Sequence, residues 1–186
     1  RSRMKGLTVA AVTGSVGKTT TKEMIYSVLS EKYKTHKTTG NHNSTIGLPL
    51  SILTLDESYE AAVYELGMGS RGEIKYLSEI VRPSCAVITN IGSMHIEYLG
   101  SREAIRDAKL EITSGLDDGG ELVLNGDEPL LEGRENAIYV SLDNQNSDIY
   151  AYNIFEGKNG TSFDMRYRGE RIFSVVIPTL GRHNVL

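Results

Sequence analysis

Short runs of apolar residues set the rhythm of the first two thirds of the chain. LTVAAVT at 7–13, AAVYELG at 61–67 and SCAVITNIG at 84–92 have no polar alternation, the pattern of strands buried on both faces. The first runs through GSVG into a helical stretch from Lys18 to about Glu31, the second through MGSRG into EIKYLSEI, and the third through SMHIEYLG into a helix opened by Ser101. A short strand near YKTHK, a Gly/Asn loop TTGNHNSTIG and a short helix around LPLSILTL fill the interval between the first two. Strands alternating with helices predict a doubly wound, mostly parallel α/β sheet of the phosphate-loop type.

After GELVLNGDEPLL the texture changes. DIYAYNIFE, TSFDMRYRG and RIFSVVIP alternate apolar and polar residues between Gly/Asn turns, which predicts a small antiparallel sheet on the C-terminal side. The expected division is a parallel core over 1–147, an antiparallel meander over 148–180 and the start of a following segment at 181–186. The chain opens almost on its first core strand and stops at GRHNVL without a terminating element, the pattern of a piece of something longer.

Composition narrows the classes. At 186 residues, 39% apolar and 24% charged, the chain has the profile of one soluble globular core, and no apolar run approaches the roughly 20 residues that span a bilayer. A net charge of −4 with scattered Lys and Arg offers no field for a nucleic-acid backbone. The single Cys85 excludes an internal disulfide and RSRMKG holds no apolar signal region, so a cytoplasmic location is expected.

The candidate chemistry begins at TGSVGKTTTKEM, residues 13–24. In GSVGKT, Gly14 and Gly17 let backbone N–H groups turn toward phosphate oxygens, Lys18 neutralises their charge, and the Thr19 hydroxyl can ligate Mg²⁺. Val12 stands where the general G-x-x-x-x-G-K-[ST] pattern has its first glycine, so that pattern is met only in its second half. Glu65 falls at the carboxyl end of a predicted strand, where open α/β sheets bind ligands and a carboxylate can hold Mg²⁺; position alone equally suits a solvated strand end. His95 follows the next strand toward the same edge, and imidazole is a metal ligand, although a lone histidine is more often structural. Lys109 reads as an ordinary surface lysine on its helix, with Leu110 and Ile112 facing inward. Thr38, Thr39, Asn41 and Asn43 make a polar loop at another strand end, suited to a substrate and equally to a plain turn. His36, His42 and Cys85 carry no usable pattern.

AVTGSVGKTTTKEM, HKTTGNHNSTIGLPLSIL, YELGMGSRGEI, VITNIGSMHIEYLGS, AKLEI, LNGDE and GRHNV, in that order, together resemble the central ATPase domain of the Mur ligases. The likeness covers nearly the whole chain and is strongest to the branch that joins D-Ala-D-Ala to UDP-MurNAc-tripeptide in peptidoglycan synthesis. The resemblance implies that Gly14, Ser15, Val16, Gly17, Lys18, Thr19 and Thr20 bind ATP, with Thr19 and Glu65 on one Mg²⁺ and His95 on a second. It implies that Lys109 is carbamylated by CO₂ into a metal-bridging anion, that Asn184 contacts adenine, and that Thr39, Asn41 and Asn43 lie near the muramyl-peptide arm. The implied catalytic set is Lys18, Lys109 and His95. The family's N-terminal and C-terminal domains have no counterpart in the 186 residues, so the segment is expected to be monomeric, to bind nucleotide weakly and to ligate nothing alone.

Three alternatives remain beside it. Another ligase of the superfamily, including folylpolyglutamate and cyanophycin synthetases, shares the ATP chemistry; TTGNHNSTIGLPL and GSVGKTTTKEM favour the D-Ala-D-Ala branch. A GTP-dependent switch lacks its N-K-x-D guanine motif, and a small-molecule kinase leaves GNHN, AKLEI and GRHN unexplained together.

Overall fold

The computed structural model describes residues 6–186, so the N-terminal residues read above for targeting lie outside the described residues. The chain divides into two compact units, one ending at Leu122 and the other spanning Val123–Leu186.

In the first unit, strand β1 (Thr8–Thr13), helix α1 (Lys18–Ser30), strand β2 (Thr35–Lys37), helix α2 (Gly47–Ile52), strand β3 (Ala61–Glu65), helix α3 (Glu73–Val81) and strand β4 (Cys85–Ile88) follow one another as the periodicity predicts. A four-residue turn of helix α4 (Ile96–Leu99) precedes helix α5 (Arg102–Leu110). The strands run parallel in the order β2-β3-β1-β4, with Val12 opposite Glu65 on one side of β1 and Thr13 opposite Ile88 on the other. The uninterrupted apolar runs are explained by burial: Val9, Ala11, Val12, Ala62 and Val63 have no exposed surface. Ile25, Tyr26 and Leu29 of α1 pack on Ala10, Val12 and Val63.

Chain order and sheet order diverge at β1. The chain passes from β1 to β2, returns through β3 to the near side of β1, and then crosses to β4 on the far side. Because all are parallel, the loops after β1, β3 and β4 leave the same edge, the crevice where such sheets hold ligands. At the far end of the unit, Ser101 caps α5 by accepting the Ala104 N–H at 3.1 Å, and Ala104, Ile105, Ala108 and Leu110 face inward.

Strand β5 (Glu121–Asn125) carries the chain past Leu122. The second unit holds β6 (Ala137–Ser141), β7 (Ile149–Gly157), β8 (Gly160–Tyr167) and β9 (Glu170–Ile177). The last three form the expected antiparallel meander. Strand β6, which the sequence did not announce, meets β7 in parallel over only two residue pairs. Leu142, Ala151 and Phe163 are the buried centre, with Met165, Val175, Ile177 and Val185 packed against them. No described helix is long and apolar enough to cross a membrane.

Candidate functional site

The loop after β1 is tied to the end of β4 before any ligand is considered. Asn90 Oδ1 accepts the N–H groups of Ser15 (3.1 Å) and Val16 (2.9 Å), Thr89 Oγ1 donates to the Val16 carbonyl (2.6 Å), and the Gly92 N–H donates to Ser15 Oγ (2.8 Å). A Cβ on Gly14 would stand 1.9 Å from Thr89 Oγ1, so this close approach admits only glycine. Gly17, in the left-handed region at φ 85°, opens α1. Lys18 folds back so that Nζ donates to the Gly14 carbonyl at 2.9 Å. Burial lowers the pKa of this amine and Glu65 works against that shift.

Glu65 is the hub of the site. It is only 4% exposed, which rules out the solvated strand-end alternative. Thr19 Oγ1 donates to its Oε2 at 2.7 Å and Asn43 Nδ2 to its Oε1 at 2.8 Å, so residues from α1 and from the loop after β2 meet on one carboxylate at the end of β3.

Lys109 corrects the surface reading outright. It is 2% exposed, and burial, with the positive charge of Lys18 adding to it, pushes its amine down to about 8. Helical spacing puts Lys109 four residues after Ile105 and three before the buried Ile112, on the inward stripe itself; what hid it is that a lysine is ordinarily exposed.

Gly14, Lys18, Asn43, His95 and Lys109 line one cavity of about 320 Å³, together with residues that include Leu66, Met68, Gly69 and Glu73. His95 occupies the residue before α4 at φ 69° and is half-buried. Glu73, on the same cavity, accepts the Gly69 N–H at 2.7 Å and the Ser70 hydroxyl at 2.9 Å; the Gly69 bond first, then others including the charge of His95, hold its carboxyl below the usual range.

Other expected residues stand apart. Thr39 and Asn41 are exposed and do not line the cavity, so of the loop's three substrate candidates only Asn43 enters it. Thr20 and Val16 are exposed, while Ser15 is buried against the β4 loop. Asn184 belongs to the second unit, where its side-chain amide donates to the Leu180 carbonyl at 2.7 Å. His36 is structural: Nε2 is 2.9 Å from Thr54 Oγ1, Tyr59 meets its ring edge-on, and burial lowers its pKa. His42 is exposed, and burial pushes the Cys85 thiol up to about 11, which leaves it inert.

Sequence reasoning missed Thr89 and Asn90. The available signal was TN at the end of a buried run, but its value depends on β4 lying beside β1, which no local pattern reveals. Among the described residues no three His, Cys, Asp or Glu side chains converge on a metal position. The nearest donor set is the Thr19 hydroxyl with the Glu65 carboxylate, hard oxygens of the kind Mg²⁺ uses when phosphates and water complete its shell.

Residues 12–186 match the Mur ligase middle domain. The UDP-N-acetylmuramoyl-tripeptide–D-alanyl-D-alanine ligase of Bacillus subtilis is 46% identical over 182 residues, 97% of this chain and 39% of the relative. A crystal structure of MurF from Acinetobacter baumannii superposes with a TM-score of 0.89 at 34% identity, covering 99% of this chain and 41% of that one. MurF from Thermotoga maritima in complex with ADP gives 0.88 at 32% identity over 99% of this chain and 43% of that one. The chain thus spans about two fifths of the length of these relatives. With its phosphate loop, the Thr19–Glu65–Asn43 hub and a buried lysine gathered at one sheet edge, the chain belongs to the Mur ligase family, of which it carries the middle domain.

Proposed function

We propose that this chain is the ATP-binding middle part of a ligase that joins D-Ala-D-Ala to UDP-MurNAc-tripeptide, acting in the cytoplasm with further domains of the same polypeptide. The observation that carries the reading is the convergence of Gly14, Lys18, Asn43 and Lys109 on one cavity, with Glu65 linking Thr19 to Asn43 beside it. The names of relatives that cover nearly all of this chain supply the substrates.

A carboxylate is a poor acylating agent, and phosphorylation gives it a leaving group. In the proposed reaction a terminal carboxylate oxygen of the tripeptide attacks the γ-phosphorus of ATP and ADP departs, leaving an acyl phosphate. The D-Ala-D-Ala amine then attacks the acyl carbon, phosphate leaves, and the amine loses a proton to give the amide. Two anions must approach, so positioning and positive charge are the main requirements. Lys18, now folded on the Gly14 carbonyl, would swing to the β/γ-phosphates. Thr19 and Glu65 would hold one Mg²⁺ and His95 a second, ions that screen phosphate charge when bound. The role of Asn184 at adenine rests on the family motif alone.

Lys109 is suited to carbamylation because only a neutral amine attacks CO₂, forming the N–C bond and releasing one proton. With its pKa near 8, the reactive form persists close to neutral pH. Carbamate formation, read by ¹³CO₂ NMR, is expected to rise with pH through about 8 and to vanish in Lys109→Met; a pH-independent signal, or one that survives the substitution, overturns the assignment.

The deciding experiment uses full-length enzyme containing this chain, with ATP, Mg²⁺, UDP-MurNAc-tripeptide and D-Ala-D-Ala, and follows phosphate release as each substrate is omitted. Release that needs both peptides supports the reading. Release that ignores them assigns the loop to another ATPase. The isolated 186 residues are expected to form no amide, and steady amide formation by them would refute that part.

A further inference from the structure

Lys22 is a buried charge that the reaction above does not use. It lies on α1 with 1% of its surface exposed, three residues after Thr19 and therefore on the same side of the helix. Its Nζ donates to the Thr38 carbonyl at 2.8 Å and pairs with Glu23 Oε1 at 3.1 Å. The other Glu23 oxygen accepts from Lys37 of β2, whose ammonium sits 3.9 Å from the centre of the Tyr26 ring. An ammonium withdrawn from water this completely is costly unless its bonds are satisfied, and here they are satisfied by one carboxylate and one backbone carbonyl.

The carbonyl belongs to the residue that opens the polar loop. Thr38 is fixed at three points: its carbonyl on Lys22, its N–H on the Val63 carbonyl at 3.1 Å, and its hydroxyl accepting the Glu65 N–H at 2.8 Å. The chain then turns through exposed residues 39–42 and returns at Asn43. There Nδ2 reaches the Glu65 carboxylate and the carbonyl accepts the Gly67 N–H at 2.8 Å. Both ends of the loop are thus tied to Glu65, one to its backbone and one to its side chain. Helix α1 grips the same two ends, with Lys22 on Thr38 and Thr19 on the carboxylate that holds Asn43.

We propose that Lys22, buttressed by Glu23, is a positioning residue that sets the loop of residues 39–43 relative to the phosphate-loop helix, so that the peptide whose carboxylate is phosphorylated is presented in register with the nucleotide. The identity of that peptide rests on the function proposed above; the positioning itself does not. A lysine is needed because an apolar side chain of the same length would leave the buried Thr38 carbonyl without its partner and the loop without its anchor.

The test compares full-length wild type with Lys22→Met, which keeps the length of the stem, and with Glu23→Gln. Amide hydrogen exchange reads the loop without any turnover: exchange at 39–43 is expected to accelerate about tenfold or more in Lys22→Met, and less in Glu23→Gln, while ADP affinity stays within about twofold. In steady state, KM for UDP-MurNAc-tripeptide is expected to rise about tenfold with KM for ATP unchanged. Unchanged exchange at 39–43, a lower melting temperature as the sole effect, or parallel loss of nucleotide and peptide binding overturns the proposal. Should Lys22→Met fail to fold, Glu23→Gln decides by the same readouts. If wild-type phosphate release ignores the muramyl peptide, the functional reading falls and the exchange data judge the positioning role alone.

Discussion

Both units bury charged side chains, but they satisfy them differently. In the first, the partners of Glu65 come from α1 and from the loop after β2, one of them being Asn43 of the cavity wall, and those of Lys22 come from its own helix and the end of β2. In the second, Asp164 on β8 is also buried, yet its partners Asn153, Ser174 and Arg171 all sit on the neighbouring strands β7 and β9. A buried carboxylate closed off by its own ladder is an internal tie of that ladder. One whose partners arrive from separate elements ties those elements together at an open sheet edge, where such folds hold ligands. Burial of charge is therefore a weak guide to function, and convergence beside a cavity is the informative part.

The comparison predicts that polar deletions in the first unit strike chemistry before stability. Lys18→Ala in the full-length enzyme should lower the phosphate-release rate by roughly 10²–10³-fold, the usual cost of losing one preorganised electrostatic contact. The melting temperature should hardly move, because the lysine is half-buried and its hydrogen bonds among the described residues go to carbonyls of its own loop. Turnover at the normal rate would remove Lys18 from phosphoryl transfer.

Apolar deletions in the second unit should do the reverse. Phe163 is nearly buried between Leu142 and Ala151, and Phe163→Ala should cost about 3–5 kcal/mol, the range for an aromatic lost from a packed core. Denaturant unfolding measures this, and the Lys109 carbamate signal, which belongs to the first unit, should match wild type in the protein that remains folded. Loss of that signal in folded protein would show that the division of labour is wrong.

The same contrast explains what the sequence made legible. The meander could be read locally because alternation and turn residues fix each strand without reference to anything distant. The strand–loop–helix order of the first unit was equally plain, and with it Lys18, Thr19 and the position of Glu65. What stayed hidden was every property that depends on which strands are neighbours. Asn90 grips the phosphate loop because β4 lies beside β1. Lys22 shares the inward stripe of Ile25, Tyr26 and Leu29, but no local pattern shows that its amine meets the loop after β2. Lys109 stayed hidden for a different reason: it stands on the inward stripe of α5, but a lysine is ordinarily exposed. The polar loop shows the limit in the other direction: Thr39, Asn41 and Asn43 looked equivalent, and only the last enters the cavity. The weakly patterned β6 is the fold-level counterpart, a short strand that pairs over two residues and leaves little trace in the sequence.

The smallest effect tests whether the second unit's local legibility is also local energetics. Arg168 and Gly169, between β8 and β9, both have positive φ, 49° and 84°, as a two-residue turn requires if its twist is to match the strands it joins. A Cβ added at Gly169 would meet nothing within 4 Å, so the substitution carries no packing penalty and isolates the backbone. Gly169→Ala should therefore cost about 1 kcal/mol, the strain of holding an L-residue in the left-handed region, and Gly169→Asn should cost less because asparagine tolerates that region. Thermal unfolding should place both below wild type in that order, with steady-state kinetics unaltered. Equal losses for Ala and Asn would mean that the turn is governed by something other than its backbone angles, and a kinetic defect in either would carry the influence of this hairpin into the chemistry of the first unit.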